Sequence, residues 1–331
     1  MENFNKKKIL KLNSNLKNKK IAVIGDMMLD SYYWGSINRI SPEAPVPVLE
    51  VDNEFSRFGG AMNVAKNIQS LGGIPFPIGV VGNDSDSAIF HKLLSESNID
   101  GKGLIKDSSR HTTTKTRVIA HKQHVIRIDK ENINPIDSKI EKKIIKYLSS
   151  IIDQLDAVIL EDYNKGVLTP NIIKEVIKMT LDAGKIISVD PKFNNFFEYK
   201  NVTVFKPNRK ETEDALGIRI RTSKDLEYAG NKLLDKLNPT YLLLTLGEEG
   251  IALFEKDKPV RRIPTKARKV ADVSGAGDTV IATLTSSLAA GYSIDEASYL
   301  ANFAGGIVCE EVGIVPIDIT NLIKSVKEEL K

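Results

Sequence analysis

The sequence predicts an α/β fold: a three-layer domain with a mostly parallel central sheet and a small β-sheet lid. Two observations predict this fold. Short apolar runs typical of buried parallel strands alternate with segments in which apolar residues recur at helical spacing. Two other segments alternate polar and apolar residues, as strands with one exposed face do. The length of 331 residues suits one large α/β domain or two small ones.

The first strand is predicted at Ile21–Gly25, an apolar run that ends in glycine. Five further runs share this character: Pro77–Val81, Ala157–Leu160, Ile186–Val189, Val202–Phe205 and Tyr241–Leu246. Helical spacing is found at Val64–Leu71, Ser87–Leu94, Ile140–Ile151, Ile172–Leu181 and Leu226–Leu237. Strands that alternate with helices form parallel sheets, which bind ligands at the carboxyl ends of their strands. We therefore expect functional residues directly after these strands.

The lid is predicted from the two alternating segments, within residues 31–52 and 112–129. We interpret both as antiparallel strands that form a small sheet beside the main domain. The alternative is two surface hairpins without a function. Residues 1–20 are basic and lack the apolar core of a signal peptide, which predicts a solvated, partly frayed lead-in.

The composition excludes several classes of function. The chain is 41% hydrophobic and 27% charged, with a net charge of +4, and it has no arginine-rich or aromatic-interleaved tract, so no nucleic-acid partner is expected. No apolar run approaches the roughly 18 residues of a membrane helix, so no membrane partner is expected either. Cys309 is the only cysteine, which fits a reducing compartment and predicts a cytoplasmic location.

The strongest functional signal is the segment Asp272–Thr279, which reads Asp-Val-Ser-Gly-Ala-Gly-Asp-Thr before an apolar helical run. Glycines let backbone N–H groups crowd around an anion, and a helix N-terminus favours phosphate. Asp278 lies inside this turn, where a carboxylate is a candidate base for an attacking hydroxyl. The alternative is a glycine-rich turn with Asp278 as an ordinary N-cap.

Weaker signals follow other predicted strands. Asn208 and Glu211 are three residues apart, so they suit either a magnesium ion held through water or a capping pair. Thr245 and Gly247 end a strand, where they can meet phosphate oxygens or form a plain turn.

Further candidates stand early in the chain. Gly59, Gly60 and Asn63 open a helix and allow close approach to a ligand or simply close packing. Asp26 and Asp30 follow the first strand and suit sugar hydroxyls or turn formation.

These motifs occur in a fixed order that resembles the ribokinase-like (PfkB) family of sugar kinases: Gly-Gly-x-x-Asn, Asn-x-x-Glu, Thr-x-Gly-x-x-Gly and Gly-Ala-Gly-Asp-Thr. The resemblance runs from about residue 20 to the C-terminus, so we expect a single kinase domain over residues 1–331. The segments Arg39–Val48, Asp162–Gly166 and Asp190–Lys192 resemble the D-glycero-β-D-manno-heptose 7-phosphate kinases, which serve ADP-heptose and lipopolysaccharide core biosynthesis. No His-x-Gly-His signature appears, so the resemblance is to the stand-alone kinase form.

The resemblance implies ATP and Mg²⁺ as cofactors, with a monovalent cation such as K+ as a further candidate, and it implies a role for each motif. Asp278 would be the catalytic base, and Gly275, Ala276 and Gly277 the anion hole. The ATP site would comprise Asn208, Glu211, Thr245, Gly247 and Gly250, with Glu211 holding the metal through water. The sugar phosphate would be held by Asp30, Gly59, Gly60, Asn63, Arg117, Arg127 and Lys192.

The distal phosphate of such a substrate requires cations away from the transfer site. The candidates are Lys115, Arg117, Arg127, Lys165 and Lys192, of which the lid alternation slightly favours Arg117 and Arg127. Lids of this family often meet edge to edge, which implies a homodimer. Two alternatives remain open: another sugar or nucleoside kinase of the family, and a non-catalytic sugar-binding protein on the same fold.

Overall fold

The computed structural model describes residues 6–121, 123–265, 272–311 and 313–329. The strands in these ranges are β1 (Lys20–Gly25), β2 (Met27–Ile40), β3 (Pro47–Gly60), β4 (Ile74–Val81), β5 (Leu104–Lys106), β6 (Thr113–Ala120), β7 (Gln123–Lys130), β8 (Ala157–Glu161), β9 (Ile186–Asp190), β10 (Val204–Phe205), β11 (Tyr241–Thr245), β12 (Ile251–Phe254) and β13 (Arg261–Ile263). The helices are α1 (Lys6–Leu10), α2 (Leu12–Leu16), α3 (Ala61–Ser70), α4 (Ser85–Ser97), α5 (Ser138–Ile151), α6 (Pro170–Asp182), α7 (Arg209–Leu216), α8 (Ser223–Leu237), α9 (Ala276–Ala289), α10 (Ile294–Val308) and α11 (Ile319–Glu329).

The large sheet has nine strands in the order β13-β12-β11-β10-β9-β8-β1-β4-β5. All neighbours from β11 to β5 run parallel, whereas β12 and β13 are added antiparallel at one edge. The predicted mostly parallel sheet is confirmed, and each of the six predicted strands overlaps an observed one. Because these strands are parallel, their carboxyl ends all lie on the same side of the sheet, along the border that runs across the strands.

Helices cover both faces of this sheet because its strands are apolar on both sides. In β1, Ala22 and Ile24 join a core with α5, α6 and α8. Ile21 and Val23 point the other way, into a core with α3, α4 and α9. This alternation of one strand between two cores is the physical basis of the predicted three layers.

The lid is a four-stranded sheet in the order β3-β2-β6-β7. It begins directly after β1, so that β2 and β3 extend beyond the predicted segment, to Met27 and Gly60. The prediction that its strands are antiparallel is wrong for one pair, because β2 and β6 run parallel. The base of the lid is buried, whereas Ile126 and Ile128 on β7 are 55% and 53% exposed.

The prediction of a solvated lead-in is wrong for residues 8–16. Ile9, Leu12 and Leu16 are fully buried in a core with α10 and α11, and Lys8 pairs with Glu296 at 2.7 Å. The apolar residues at positions 9, 12 and 16 have helical spacing, which the lysine content concealed. Among the described helices, none has the length and hydropathy that crossing a bilayer requires.

Candidate active site

The residues predicted to bind nucleotide and phosphate meet at one cavity of about 1030 Å³, formed where β8 to β11 end and α9 begins. Its lining includes the predicted Lys192, Asn208, Glu211, Thr245, Gly247, Gly250, Gly275, Ala276, Gly277 and Asp278. It also includes Tyr163, Asp190 and Lys206, for which no role was predicted. Ligand binding at this edge is expected for a parallel sheet.

The glycine turn before α9 has the geometry of an anion site. Gly275 is the N-cap and adopts a left-handed conformation, with φ of 76°, which glycine adopts without strain. Gly277 lies in the first helical turn, where its added Cβ would stand 3.7 Å from Lys206 Nζ. A phosphate at this turn would meet both the first N–H groups of α9 and a fixed ammonium group.

Asp278 is buried in the first turn of α9, with 4% exposure. Both of its oxygens accept hydrogen bonds at 2.7 Å, Oδ1 from the Tyr163 hydroxyl and Oδ2 from Asn63 Nδ2. Burial raises the pKa of Asp278 to about 6, although these two hydrogen bonds act in the opposite direction. The Asp278 carboxylate is thus ionised at neutral pH, and its pKa is close to the value that suits a general base. The alternative role as a side-chain N-cap is not observed, since Gly275 caps α9 without one.

Charged side chains surround Asp278. Carboxylate oxygens of Glu161, Asp190 and Asp278 lie within 4.8 Å of one another. Lys206 brings a positive charge into this group, because its buried Nζ lies 2.7 Å from Asp190 Oδ2. Burial, with the charges of Asp190 and Asp278, raises the pKa of Glu161 well above its usual range. The surroundings of Glu161 therefore disfavour its ionised form.

Asn208 and Glu211 form a capping box at the start of α7. Asn208 Oδ1 accepts from the Glu211 N–H at 2.8 Å, and Glu211 Oε2 accepts from the Asn208 N–H at 2.8 Å. The capping alternative is therefore observed, and it leaves Glu211 on the cavity wall with its Oε1 bound to Lys192. The Lys192 ammonium also lies 5.4 Å from the centre of the Tyr163 ring, so Lys192 lies on the wall of the cavity that contains Asp278 rather than on the lid.

The turn after β11 forms another wall of the cavity. Thr245 is joined to Asn208 by a parallel bridge. Gly247 and Gly250 have φ of 64° and 86°, and an added Cβ at Gly250 would stand 2.1 Å from the carbonyl oxygen of Ile263. The strand–turn–strand alternative is also observed, because β12 returns antiparallel to β11.

Five of the seven predicted sugar-phosphate residues form a second group at the base of the lid: Asp30, Gly59, Gly60, Asn63 and Arg117. Asp30 is buried and pairs with Arg117. An added Cβ at Gly59 would stand 2.1 Å from Asp30 Oδ2, and one at Gly60 would stand 2.4 Å from a backbone oxygen. Asn63 connects this group to the cavity, since its amide is bound to Asp278.

The other candidate cations lie on or beside the lid. Lys115 Nζ lies 3.3 Å from Asp129 and 3.4 Å from Glu131. Lys165 Nζ binds the same Glu131 at 2.8 Å. The Arg127 side chain is 58% exposed and pairs with Asp129 at 2.9 Å. Four of the five candidate cations therefore gather around lid carboxylates, and the fifth is Lys192.

Four residues of the site had no predicted role: Glu161, Tyr163, Asp190 and Lys206. Tyr163 and Asp190 stood in motifs quoted for the family resemblance alone. Each of the four lies at or just after the end of a parallel strand. That position was the available signal, but it does not tell which polar residue faces the cavity.

Comparisons with known proteins agree with this geometry. A family model described as pfkB family carbohydrate kinase matches residues 18–319. The bifunctional protein HldE of Desulfatibacillum aliphaticivorans is 42% identical over 310 residues, which cover 94% of this chain and 63% of that protein. HldE of Geobacter sulfurreducens is 43% identical over 303 residues, with 92% and 62% covered. The chain thus spans less than two thirds of the length of these relatives.

Solved structures share the fold at lower identity. Phosphofructokinase-2 from Escherichia coli, in its tetrameric inhibited form, superposes with a TM-score of 0.74 at 16% identity, covering 94% of this chain and 99% of that chain. Ribokinase of Arabidopsis thaliana, complexed with ribose and ATP, gives a TM-score of 0.72 at 18% identity, covering 93% and 99%. The predicted ribokinase-like α/β fold is therefore confirmed.

Proposed function

The chain belongs to the pfkB family of carbohydrate kinases and is a sugar kinase, and from this premise we propose that it phosphorylates the anomeric hydroxyl of D-glycero-β-D-manno-heptose 7-phosphate with ATP. The product is heptose 1,7-bisphosphate, an intermediate toward ADP-heptose and lipopolysaccharide core. The observation that carries the chemistry is the buried Asp278 carboxylate in the glycine-lined turn at the start of α9. The segments that resemble heptose 7-phosphate kinases support the choice of sugar.

In the proposed reaction, Asp278 takes the proton of the acceptor hydroxyl while the hydroxyl oxygen attacks the γ-phosphorus. A bond forms between that oxygen and phosphorus, the bond to the β–γ bridging oxygen breaks, and ADP leaves. The N–H groups at Gly275–Gly277 and the ammonium groups of Lys192 and Lys206 stabilise the charge on the transferred group. Their positions on one cavity wall support this role.

Magnesium, when bound, would neutralise charge on the ATP phosphates. Glu211 fits a water-mediated role, because its carboxylate lies on the cavity wall while both of its oxygens already accept protein hydrogen bonds. Asn208, Thr245, Gly247 and Gly250 would line the nucleotide site. K+ stays a prediction, tested by comparing rates in K+ and Na+ buffers.

The lid end of the site is proposed to hold the sugar phosphate. Asp30, Gly59, Gly60 and Asn63 would contact sugar hydroxyls, and the buried Asp30–Arg117 pair supports Arg117 as a ligand. Lys115 and Lys165, which share Glu131, are further candidates for the distal phosphate, and Arg127 remains a candidate. Replacing the true anchor should raise KM for the sugar phosphate much more than KM for ATP, whereas an unchanged KM would clear that residue.

We further propose a homodimer formed through the lid. Ile126 and Ile128 lie on one face of β7 and are more than half exposed, and neighbouring exposed apolar side chains are typical of a protein–protein contact. Ile126→Glu should lower the mass measured by sedimentation. The matched control is Ile133→Glu, at a position outside the lid strands that is 65% exposed, against 55% for Ile126. Equal masses for both variants and the wild type would contradict a lid interface.

The substrate is tested with ATP and a panel containing heptose 7-phosphate, unphosphorylated heptose, fructose 6-phosphate, ribose and adenosine. ADP release and the ³¹P resonance of a new anomeric phosphate are the readouts. We expect the highest kcat/KM for heptose 7-phosphate. A higher value for another acceptor would identify a different family kinase, and no ADP release with any acceptor would indicate a binding protein.

A further inference from the structure

The buried carboxylate of Asp26 accepts several backbone hydrogen bonds from the loop after β8. Asp26, which is 1% exposed, accepts hydrogen bonds from three backbone N–H groups of this loop: Tyr163 at 2.8 Å, Lys165 at 3.0 Å and Val167 at 3.2 Å. Asp26 was a weak candidate for sugar binding. Both of its oxygens are instead used to fix the loop, and the loop carries Tyr163.

Tyr163 links this loop to the proposed base. Its hydroxyl donates to Asp278 Oδ1 at 2.7 Å, opposite the Asn63 amide that donates to Oδ2. The Asp278 side chain is thus hydrogen-bonded from two elements, the loop after β8 and the start of α3. An ionised carboxylate offers about four lone-pair sites, so the two protein donors leave sites for an acceptor hydroxyl.

We infer that Tyr163 is a positioning residue that fixes the Asp278 carboxylate for proton abstraction. This inference rests on the proposed function of Asp278. Tyr163 does not itself take the proton. Burial, together with the charges of Asp278 and Glu161, raises the pKa of Tyr163 well above its usual value, so its hydroxyl stays a donor. The acceptor's proton moves to Asp278 while Tyr163 keeps its own.

Several groups face Asp278, and each acts on its ionisation. Tyr163 and Asn63 donate hydrogen bonds and favour the carboxylate, and the Lys206 ammonium does the same. The negative charge of Asp190 opposes the ionisation of Asp278, and Glu161 lies in the same cluster of three carboxyl side chains. Removing only the Tyr163 hydroxyl should therefore raise the pKa of Asp278, because one donor to the charged form is lost.

The test is Tyr163→Phe, which keeps the ring beside Lys192 and removes the hydroxyl. The matched control is Tyr199→Phe. Tyr199 is fully buried, and its hydroxyl donates at 2.6 Å to Asp162, on the same loop but away from Asp278. Both variants lose one tyrosine hydrogen bond to a carboxylate in this region, and only the first loses contact with the proposed base.

For Tyr163→Phe we expect kcat to fall about 10- to 100-fold, the size of one hydrogen bond to a charged group, with KM for ATP nearly unchanged. The acidic limb of the profile of kcat/KM against pH should move to higher pH. For Tyr199→Phe the limb should stay in place. A Tyr163→Phe enzyme with an unmoved limb would overturn the inference, whether or not kcat falls.

A measurement without substrate separates this inference from the proposed function. Titrating the Asp278 carboxyl by ¹³C NMR in the free protein should give a higher midpoint in Tyr163→Phe than in the wild type. 3-Fluorotyrosine, whose hydroxyl is a stronger hydrogen-bond donor than that of tyrosine, should lower the midpoint when it is placed at position 163. This variant keeps the whole side chain. Equal midpoints in all three proteins would overturn the inference even if the wild type is an active kinase. A wild type without kinase activity would refute the proposed function and leave this titration decisive for Tyr163.

Discussion

Asp278→Asn removes the proposed base while keeping the shape of the side chain. The introduced amide oxygen can still accept from Asn63, and its NH₂ group can donate to the Tyr163 hydroxyl, which is able to accept. Burial raises the pKa of Asp278 to about 6, above its usual value, so the ionised carboxylate destabilises the fold above that pH. A neutral amide should therefore leave the free energy of unfolding at pH 8 unreduced.

The expected loss lies in turnover. General-base assistance contributes on the order of 10²- to 10⁴-fold, which corresponds to about 3–5 kcal/mol of activation free energy. KM for ATP should change little, because the glycine turn and the cavity lysines are untouched. The interaction lost would be one that matters mainly in the transition state.

The assay follows ADP release in a coupled reaction at saturating ATP and sugar phosphate, alongside urea unfolding of the same protein. Asp182→Asn is the control for the substitution itself, because Asp182 ends α6 at the opposite edge of the sheet and its side chain is 66% exposed. A near wild-type rate in Asp278→Asn would remove Asp278 from the role of base. A rate loss accompanied by an equal loss of folded protein would show that the residue is structural.

Three further outcomes follow from the same geometry. Turnover should decline as pH falls through about 6, because protonation of Asp278 abolishes its ability to accept a proton; a flat profile from pH 5 to 8 would contradict this. Glu161→Gln should become more stable relative to the wild type as pH rises from 5 to 8, because the pKa of Glu161 is raised in the folded state and ionisation there is unfavourable. If urea unfolding gives the same difference in free energy between variant and wild type at pH 5 and at pH 8, this expectation is wrong. Asp26→Ala should lower the free energy of unfolding by at least about 2 kcal/mol, since three backbone N–H groups lose their acceptor. A free energy of unfolding in urea equal to that of the wild type would show that water replaces the carboxylate.

The central architecture was accessible from the sequence because both of its periodicities are strong. The buried parallel strand β8 is continuously apolar from Ala157 to Leu160, and the helices between the strands carry apolar residues at helical spacing. The glycine turn at Gly275–Gly277 was also accessible, since closely spaced glycines directly before an apolar helical run are typical of an anion-binding turn. These local signals do not depend on distant parts of the chain.

The features that the sequence did not predict depend on contacts between distant segments. Lys206 reads as an ordinary lysine after a strand, and only the fold brings it to Asp190 and Gly277. Tyr163 lies 115 residues before the carboxylate that it contacts. The parallel pairing of β2 with β6 likewise depends on the chain that connects these two strands. The alternation of polar and apolar residues alone does not specify the direction in which two strands pair.

The most direct measurement of the central claim is a crystal structure with a non-hydrolysable ATP analogue and the sugar phosphate. The terminal phosphate should lie within hydrogen-bond distance, about 3 Å, of the N–H groups at Gly275–Gly277, with the anomeric hydroxyl against Asp278. A terminal phosphate bound elsewhere in the cavity, away from the start of α9, would contradict the proposed mechanism.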